Sequence, residues 1–361
     1  MLKIIHGADF HLDSPFSGLT PEQAAKRRAE QRQLLDDVAR LAQATKSDLV
    51  LLSGDLLDSD NVYRETMDAL AAALGQIPCP VSIAPGNHDF YAPGSPYDLL
   101  NWPDNVHIFT ENHITSFDLP QLNCTVWGRA FTEPHMTESP LAGFTAPQDG
   151  RTHVMVLHGM VGGPSEYGPI DPAEIAASGL DYLALGHVHQ YSGLQLADKT
   201  FWAYTGCAEG RGFDETGDKG VMYLELHEGQ CKARFAPICR HRYQVLNVDL
   251  TGEVRPLDAI LGTLPADTRE DIYRIVLTGE GQAPDLSALE RALGGRFYGV
   301  SLVDRTRLPR GLWDRREEDS LTGLFLRLLW DRREEGMDDQ LCQMAARFGL
   351  AALENGEDPY V

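Results

Sequence analysis

Among the 361 residues there is no run approaching the roughly 18–20 consecutive apolar residues of a membrane span. The apolar stretch in Met1-Leu2-Lys3-Ile4-Ile5 is too short for a secretion signal, so a cytoplasmic protein is expected. Cysteine is sparse. The six (Cys79, Cys124, Cys207, Cys231, Cys239, Cys342) are scattered with no Cys-x-x-Cys, which argues against a disulfide framework or thiolate zinc site and for reduced, mostly buried thiols. No motif recurs at a fixed period, which excludes a solenoid. Positive charge is also short: 31 basic residues, only six of them Lys, against 53 acidic ones give a net charge of −22. A protein that simply coats phosphates would show the opposite balance.

What is present is an ordinary globular composition, 43% hydrophobic, with a length that suits two domains. Apolar runs at Leu2–Ile5, Asp48–Ser53 and Pro80–Ala84 read as buried strands. A helix start at Thr20-Pro21-Glu22-Gln23 precedes the helical spacing of Leu34, Leu35, Val38, Leu41 and Ala42, predicting one long helix from Pro21 to about Ala44. A second helix covers Met67–Leu74, and this β-α-β-α-β order implies a parallel sheet. After Trp102 come shorter strands at His107–Thr110, Ile114–Leu119 and Cys124–Ala130, then apolar strands at Val154–Leu157 and Tyr182–Leu185. Phe201–Tyr204 and Val221–Leu226 read as sheet edges. Residues 1–240 thus form an α/β block with a second, more antiparallel sheet. Residues 241–361 form a smaller unit that ends in two helical stretches, Leu321–Trp330 and Asp339–Leu353. The first block holds 16 basic and 31 acidic residues and the second 15 and 22, so the acidity is spread along the chain.

Five segments share one pattern, an apolar strand running out into polar residues: Asp9-x-His11, Gly54-Asp55-x-x-Asp58, Gly86-Asn87-His88-Asp89, His158-Gly159 and Gly186-His187-x-His189. In open α/β sheets ligands gather beyond the carboxyl ends of strands. Residues i and i+2 of an extended segment point the same way. Any one segment alone is more often structural, but five of the twelve histidines fall in this set, in an order one sheet can assemble. Carboxylates, an amide oxygen and imidazoles without sulfur favour manganese, iron or zinc over calcium. Seven donors are too many for one such ion and fit two sharing a carboxylate. Two ions about 3.5–4 Å apart can hold a bridging hydroxide and clamp both oxygens of an in-line phosphoryl displacement.

The series D-x-H, G-D-x-x-D, G-N-H-D, H-G and G-H-x-H resembles the calcineurin-like metallophosphoesterase superfamily. Ala8–Phe16 and the glycine-rich stretch Gly206–Gly220 resemble its SbcD/YhaO branch of DNA repair exonucleases. The resemblance is strong over about residues 1–240 and extends to 241–361 in size and position only. It implies a four-layer β-sandwich flanked by helices (residues 1–240), with a small α+β C-terminal capping domain (residues 241–361). It implies two divalent ions, manganese foremost, with Asp9, His11 and His189 holding one, Asn87, His158 and His187 the other, and Asp55 between them. It further implies catalytic roles for His88, which would protonate the leaving oxygen or stabilise its charge, and for Asp89, which would orient His88 through a ring N–H. Asp58 stands where archaeal and eukaryotic relatives have histidine and is read as a supporting or substrate-positioning residue. DNA, a coiled-coil SbcC/YhaN-like ATPase subunit and a second copy of the chain are the implied partners.

Arg211 and Lys219 are candidate phosphate contacts in the glycine-rich stretch. Lys26-Arg27-Arg28 with Arg32 reads as a DNA-facing or, more simply, a solvated helix face. His6 reads as core. The leucines of 321–330 read either as packing within their own domain or as a dock for the ATPase. The leading expectation is a metal-dependent nuclease subunit acting on DNA ends. Its rivals are a phosphoesterase for a small phosphoester or pyrophosphate, and a non-catalytic DNA-end binding subunit.

Overall fold

A computed structural model describes residues 1–355 except 18, 60, 61 and 282. The first strand, β1 (Leu2–Gly7), shows how alternation builds the layers. Ile4 faces one way and Ile5 the other, and both are fully buried. Helix α1 (Pro21–Arg32) opens with the expected capping box, Thr20 and Gln23 each accepting from the other's backbone, and α2 (Leu34–Thr45) follows. Next come β2 (Leu49–Leu52), α3 (Arg64–Gly75), β3 (Val81–Ile83), α4 (Pro96–Leu99) and β4 (Val106–Ile108). The chain continues through β5 (Thr115–Leu119), β6 (Cys124–Gly128), β7 (Thr152–His158), the short pair β8 (Met160–Val161) and β9 (Pro169–Ile170), α5 (Pro172–Ala177) and β10 (Tyr182–Gly186). Two hairpins complete this part: β11 (Gln195–Ala197) with β12 (Thr200–Tyr204), and β13 (Gly220–His227) with β14 (Gln230–Pro237).

Two six-stranded sheets result, ordered β14-β13-β1-β2-β3-β4 and β11-β12-β10-β7-β6-β5. Their facing sides share one core, with Ile4, Leu49 and Leu51 meeting Val154, Val156 and Tyr182. The alternate residues Ile5, Val50 and Leu52 pack under α2 and α3. On the far side, Met155, Leu157, Leu183 and Leu185 pack with Ile175 of α5. Period-2 alternation in strands buried on both faces therefore gives the expected layered α/β sandwich.

Three details differ from the sequence reading. The second sheet, expected to be the more antiparallel one, pairs β6 with β7, β7 with β10 and β10 with β12 in parallel, and only its outer pairs β5–β6 and β11–β12 are antiparallel, the same mix as in the first sheet. The single helix expected from Pro21 to Ala44 is two helices meeting at Gln33, whose N–H bonds Glu30 at i−3 and tightens the turn. The first half follows a polar partner through Arg27, while the second lays Leu34, Leu35 and Val38 on the sheet. Phe201–Tyr204 and Val221–Leu226 are interior strands, not edges. Each is covered by its own hairpin mate, and the second hairpin turns through Glu228 and Gly229, both left-handed.

The chain divides into two units, Met1–Arg242 and Tyr243–Val361. In the second, β15 (Tyr243–Asp249), α6 (Pro256–Thr263), β16 (Ile272–Thr278), α7 (Leu286–Leu293) and β17 (Gly299–Asp304) alternate, and the three strands pair in parallel. The α+β unit expected here thus takes an alternating, parallel form. It is followed by α8 (Leu321–Glu334) and α9 (Asp339–Asn355), with a core of their own around Trp313, Leu326, Cys342 and Ala346. No helix among the described residues is long and apolar enough to cross a membrane.

Candidate metal centre

The seven proposed ligands sit at the carboxyl ends of β1, β2, β3, β7 and β10, His158 as the last residue of β7 and the other six just beyond their strands. Releasing these side chains towards one point requires unusual backbone. Asp9, His11, Asp55 and His187 all have positive φ (52°, 45°, 50° and 101°), strain of the kind that collects at functional sites. Close approach also requires bare backbone. A Cβ on Gly86 would lie 2.2 Å from Asp55 Oδ1, and one on Gly186 would lie 1.9 Å from the Ser53 carbonyl oxygen.

The side chains converge in three groups, Asp9 with His11 and His189, Asp9 with Asp55 and His158, and His11 with Asp58 and His88. His11 Nε2 and His189 Nε2 face each other at 3.1 Å. Asn87 Oδ1 lies 3.0 Å from His158 Nε2 and 3.3 Å from His187 Nδ1. Asp55 Oδ2 is 3.4 Å from His158 Nε2 and 3.8 Å from His11 Nε2, so it faces a histidine of each proposed ligand set. So many inward-facing lone pairs of nitrogen and oxygen, without sulfur, fit a pair of divalent cations.

The electrostatics are those of a crowded, buried site. Burial raises the Asp9 carboxyl to about 7, against the opposing pull of His158 and His189. Burial would also raise Asp55, but His158 and His11 outweigh it and hold that carboxyl well below the usual range. Burial would lower His158, yet Asp55 and Asp9 carry it up to about 9. Burial brings His11 and His187 down to about 4, leaving neutral rings ready to ligate.

Around the ligands, Asp58 touches more than its sequence position suggested. Its Oδ1 lies 3.0 Å from His11 Nδ1 and accepts from Arg211 at 2.9 Å and Ser14 at 3.1 Å. His88 is exposed, its backbone N–H donates to Asp55 Oδ1 at 2.9 Å, and its ring lies 4.9 Å from that of His11. The ring's Nδ1 sits 3.0 Å from the backbone oxygen of Asp58. This corrects the role expected of Asp89. That carboxylate is buried and does not orient the His88 ring. It accepts from the backbone N–H groups of Asp55, Leu56, Leu57 and Gly86 and from the Tyr97 hydroxyl, tying the turn after β2 to the turn after β3.

Of the candidate phosphate contacts, Arg211 is held between Asp58 and Glu215, and the Lys219 ammonium donates to the His189 carbonyl. Arg27 is neither DNA-facing nor solvated, being fully buried with Glu209 at 2.7 Å. His6 is the core residue expected, between the Tyr182 hydroxyl and Ser53 Oγ. The sequence reading missed Glu215, whose Oε1 is 2.6 Å from His189 Nδ1, and Tyr167, whose ring lies against that of His187 at 5.2 Å and a 37° tilt. Nothing in spacing relates Glu215 to a histidine 26 residues earlier. Only its place in the glycine-rich stretch pointed to that region.

Residues 2–191 match the family model for calcineurin-like phosphoesterases. The chain belongs to that family. It is also similar to the "Uncharacterized metallophosphoesterase YhaO" of Bacillus subtilis (strain 168), 30% identical over 341 residues, or 88% of this chain and 81% of that one. Two solved structures resemble parts of it: a dimetal phosphatase from Danio rerio, and GAP50, described as the anchor in the inner membrane complex of Plasmodium. The first is 13% identical with a TM-score of 0.41, covering 63% of this chain and 93% of that one. The second is 11% identical with a TM-score of 0.40, covering 66% and 84%. The converged Asp and His donors in a calcineurin-like domain make this chain a metal-dependent phosphoesterase.

Proposed function

We propose that this phosphoesterase is a nuclease subunit of the SbcD/YhaO type, hydrolysing phosphodiesters at DNA ends with manganese as the working ion. The observation that carries the reading is the openness of the centre. Asp9, His11, Asp55 and His158 form a buried floor, Asn87, His187 and His189 are half-buried, and His88 stands exposed beside them. A buried floor under an exposed histidine suits a phosphate within a long polymer. Small-molecule sites instead enclose most of their ligand. The tilted ring pairs Tyr167–His187 and His135–Tyr167 (5.4 Å) add aromatic surface beside the centre, of the chemistry on which single-stranded nucleic acid bases stack.

When bound, the two divalent ions supply Lewis acidity towards the phosphoester and a nucleophilic water at neutral pH. Asp9, His11 and His189 would hold one, Asn87, His158 and His187 the other, with Asp55 shared. With Nδ1–H donating to the Asp58 carbonyl, the His88 ring leaves Nε2 to carry a proton to the leaving oxygen. Asp58 thereby supports His88 through its backbone and His11 through its side chain.

The net charge of −22 opposes loose DNA coating, so the reading includes a coiled-coil ATPase partner that supplies affinity. Exposed Leu321, Leu324 and Leu328 on α8, with Leu341 and Met344 on α9, give such a partner an apolar face. A test is to incubate the purified chain with manganese and linear duplex DNA, single-stranded DNA or bis-p-nitrophenyl phosphate, beside His88→Ala. The wild type should cut DNA only with metal, and the variant should keep its metals while losing about 10²–10³-fold in rate. Hydrolysis of the small diester with DNA left intact would remove the nuclease reading.

A further inference from the structure

The two proposed metal positions are supported differently from behind. On one side, both histidines turn their outer nitrogens to carboxylates: His11 Nδ1 lies 3.0 Å from Asp58 Oδ1, and His189 Nδ1 lies 2.6 Å from Glu215 Oε1. One guanidinium spans those two carboxylates, Arg211 reaching Asp58 Oδ1 at 2.9 Å and Glu215 Oε1 at 3.1 Å. Since His11 Nε2 and His189 Nε2 are 3.1 Å apart, His11, Asp58, Arg211, Glu215 and His189 form a closed circuit. The segment carrying Arg211 and Glu215 is also fastened to His189. The His189 carbonyl accepts from the Cys207 N–H at 3.2 Å and from Lys219 Nζ at 3.3 Å. Glu215 Oε2 accepts the Arg211 backbone N–H at 2.7 Å, which holds the segment's own turn.

The other position has no such brace. His158 Nδ1 lies 2.9 Å from the neutral carbonyl of Ser53, and the one carboxylate within 4.0 Å of its ring among the described residues, Asp55, is on the inner nitrogen. Among the described residues no carboxylate comes within 4.0 Å of a His187 ring nitrogen. A carboxylate behind a ligating histidine fixes its ring and raises its basicity, and loss of such a partner typically lowers metal affinity about 10–100-fold.

We infer that Glu215 is a positioning residue which, through Arg211 and Asp58, braces the Asp9/His11/His189 position alone, so that the two metal positions differ in affinity and the braced one fills first. This rests on the ligand assignment above but not on DNA as substrate, and it is tested by metal binding without turnover. Manganese is titrated into the metal-free full-length chain, with calorimetry for affinities and electron paramagnetic resonance to separate isolated from spin-coupled ions. The wild type should show two affinities at least about tenfold apart, with isolated ions at one equivalent. Glu215→Gln, similar in shape, should weaken the tighter affinity about 10–100-fold and leave the weaker within about twofold, so that coupled pairs form already at one equivalent. Arg211→Gln should give a smaller loss at the same position, because Glu215 keeps its contact with His189. Two equal affinities in the wild type would overturn the inference. So would a loss shared equally by both positions in Glu215→Gln, as general loosening would produce. If that variant does not fold, an unchanged tighter affinity in Arg211→Gln overturns it instead. No manganese binding to the wild type would overturn both this inference and the ligand assignment, whereas two unequal affinities without DNA cleavage would leave this inference standing and remove only the nuclease reading.

Discussion

His6 shows how far burial decides one side chain's chemistry. Enclosed with the Tyr182 hydroxyl and Ser53 Oγ, its ring is lowered to about 3 by burial. The folded chain therefore refuses a proton that the unfolded chain accepts below about pH 6.5, so His6 costs stability as pH falls from 6.5 towards 3 and nothing above 6.5. In denaturant melts of the metal-free protein, His6→Gln should flatten the fall in stability between pH 6.5 and 4 relative to wild type. The metal ligands predict the same direction, at higher pH, for a different property. Without metal, His158 is raised to about 9 and Asp9 to about 7, so binding must expel protons. Manganese affinity should rise with pH between about 6 and 9 and then level off, and calorimetry in buffers of different ionisation enthalpy should count the protons released. Gly86→Ala should cost at least about tenfold in manganese affinity, because the new Cβ would sit where Asp55 Oδ1 lies.

At the scale of elements, the strand ends matter more than the strands. The ligands after β2 and β3 leave through turns that hold one another, by way of Asp89 and its five donors. Helix α1 is held in an unusual way, by Arg27 buried against the equally buried Glu209 rather than by an apolar stripe. Arg27→Met should destabilise the chain by about 3–5 kcal/mol because Glu209 is left as a buried charge without its guanidinium. Adding Glu209→Met should recover much of that loss, measured as midpoints of chemical unfolding at pH 7.

For the whole molecule the relevant quantity is its acidity. The two proposed carboxylate ligands are two of 53 acidic residues, and two divalent ions would offset four charges of the −22. Under the proposed function, DNA binding by the chain alone should be weak and fall steeply as salt rises from about 50 to 200 mM. A partner ATPase should tighten it. Fluorescence anisotropy across a salt series, with and without that partner, checks this directly.

Unbroken apolar runs at Leu49–Leu52, Val154–Leu157 and Tyr182–Leu185, spaced by helices, were enough to give an α/β fold, because strands buried on both faces are apolar on both. The ligand types at the strand ends were equally legible, since metal chemistry restricts the choice of side chains. The break at Gln33 left no mark, for it contains neither proline nor glycine and arises where a helix changes partners. The interior positions of β12 and β13 depended on hairpins closing around them. Above all, the tertiary structure alone brought Glu215 to His189 and the Asp58 carbonyl to His88. Periodicity and donor chemistry are local, and a strand pattern announces itself in sequence. A hydrogen bond between residues tens of positions apart depends on how the elements pack, and that is what gave each ligand its supporting partner.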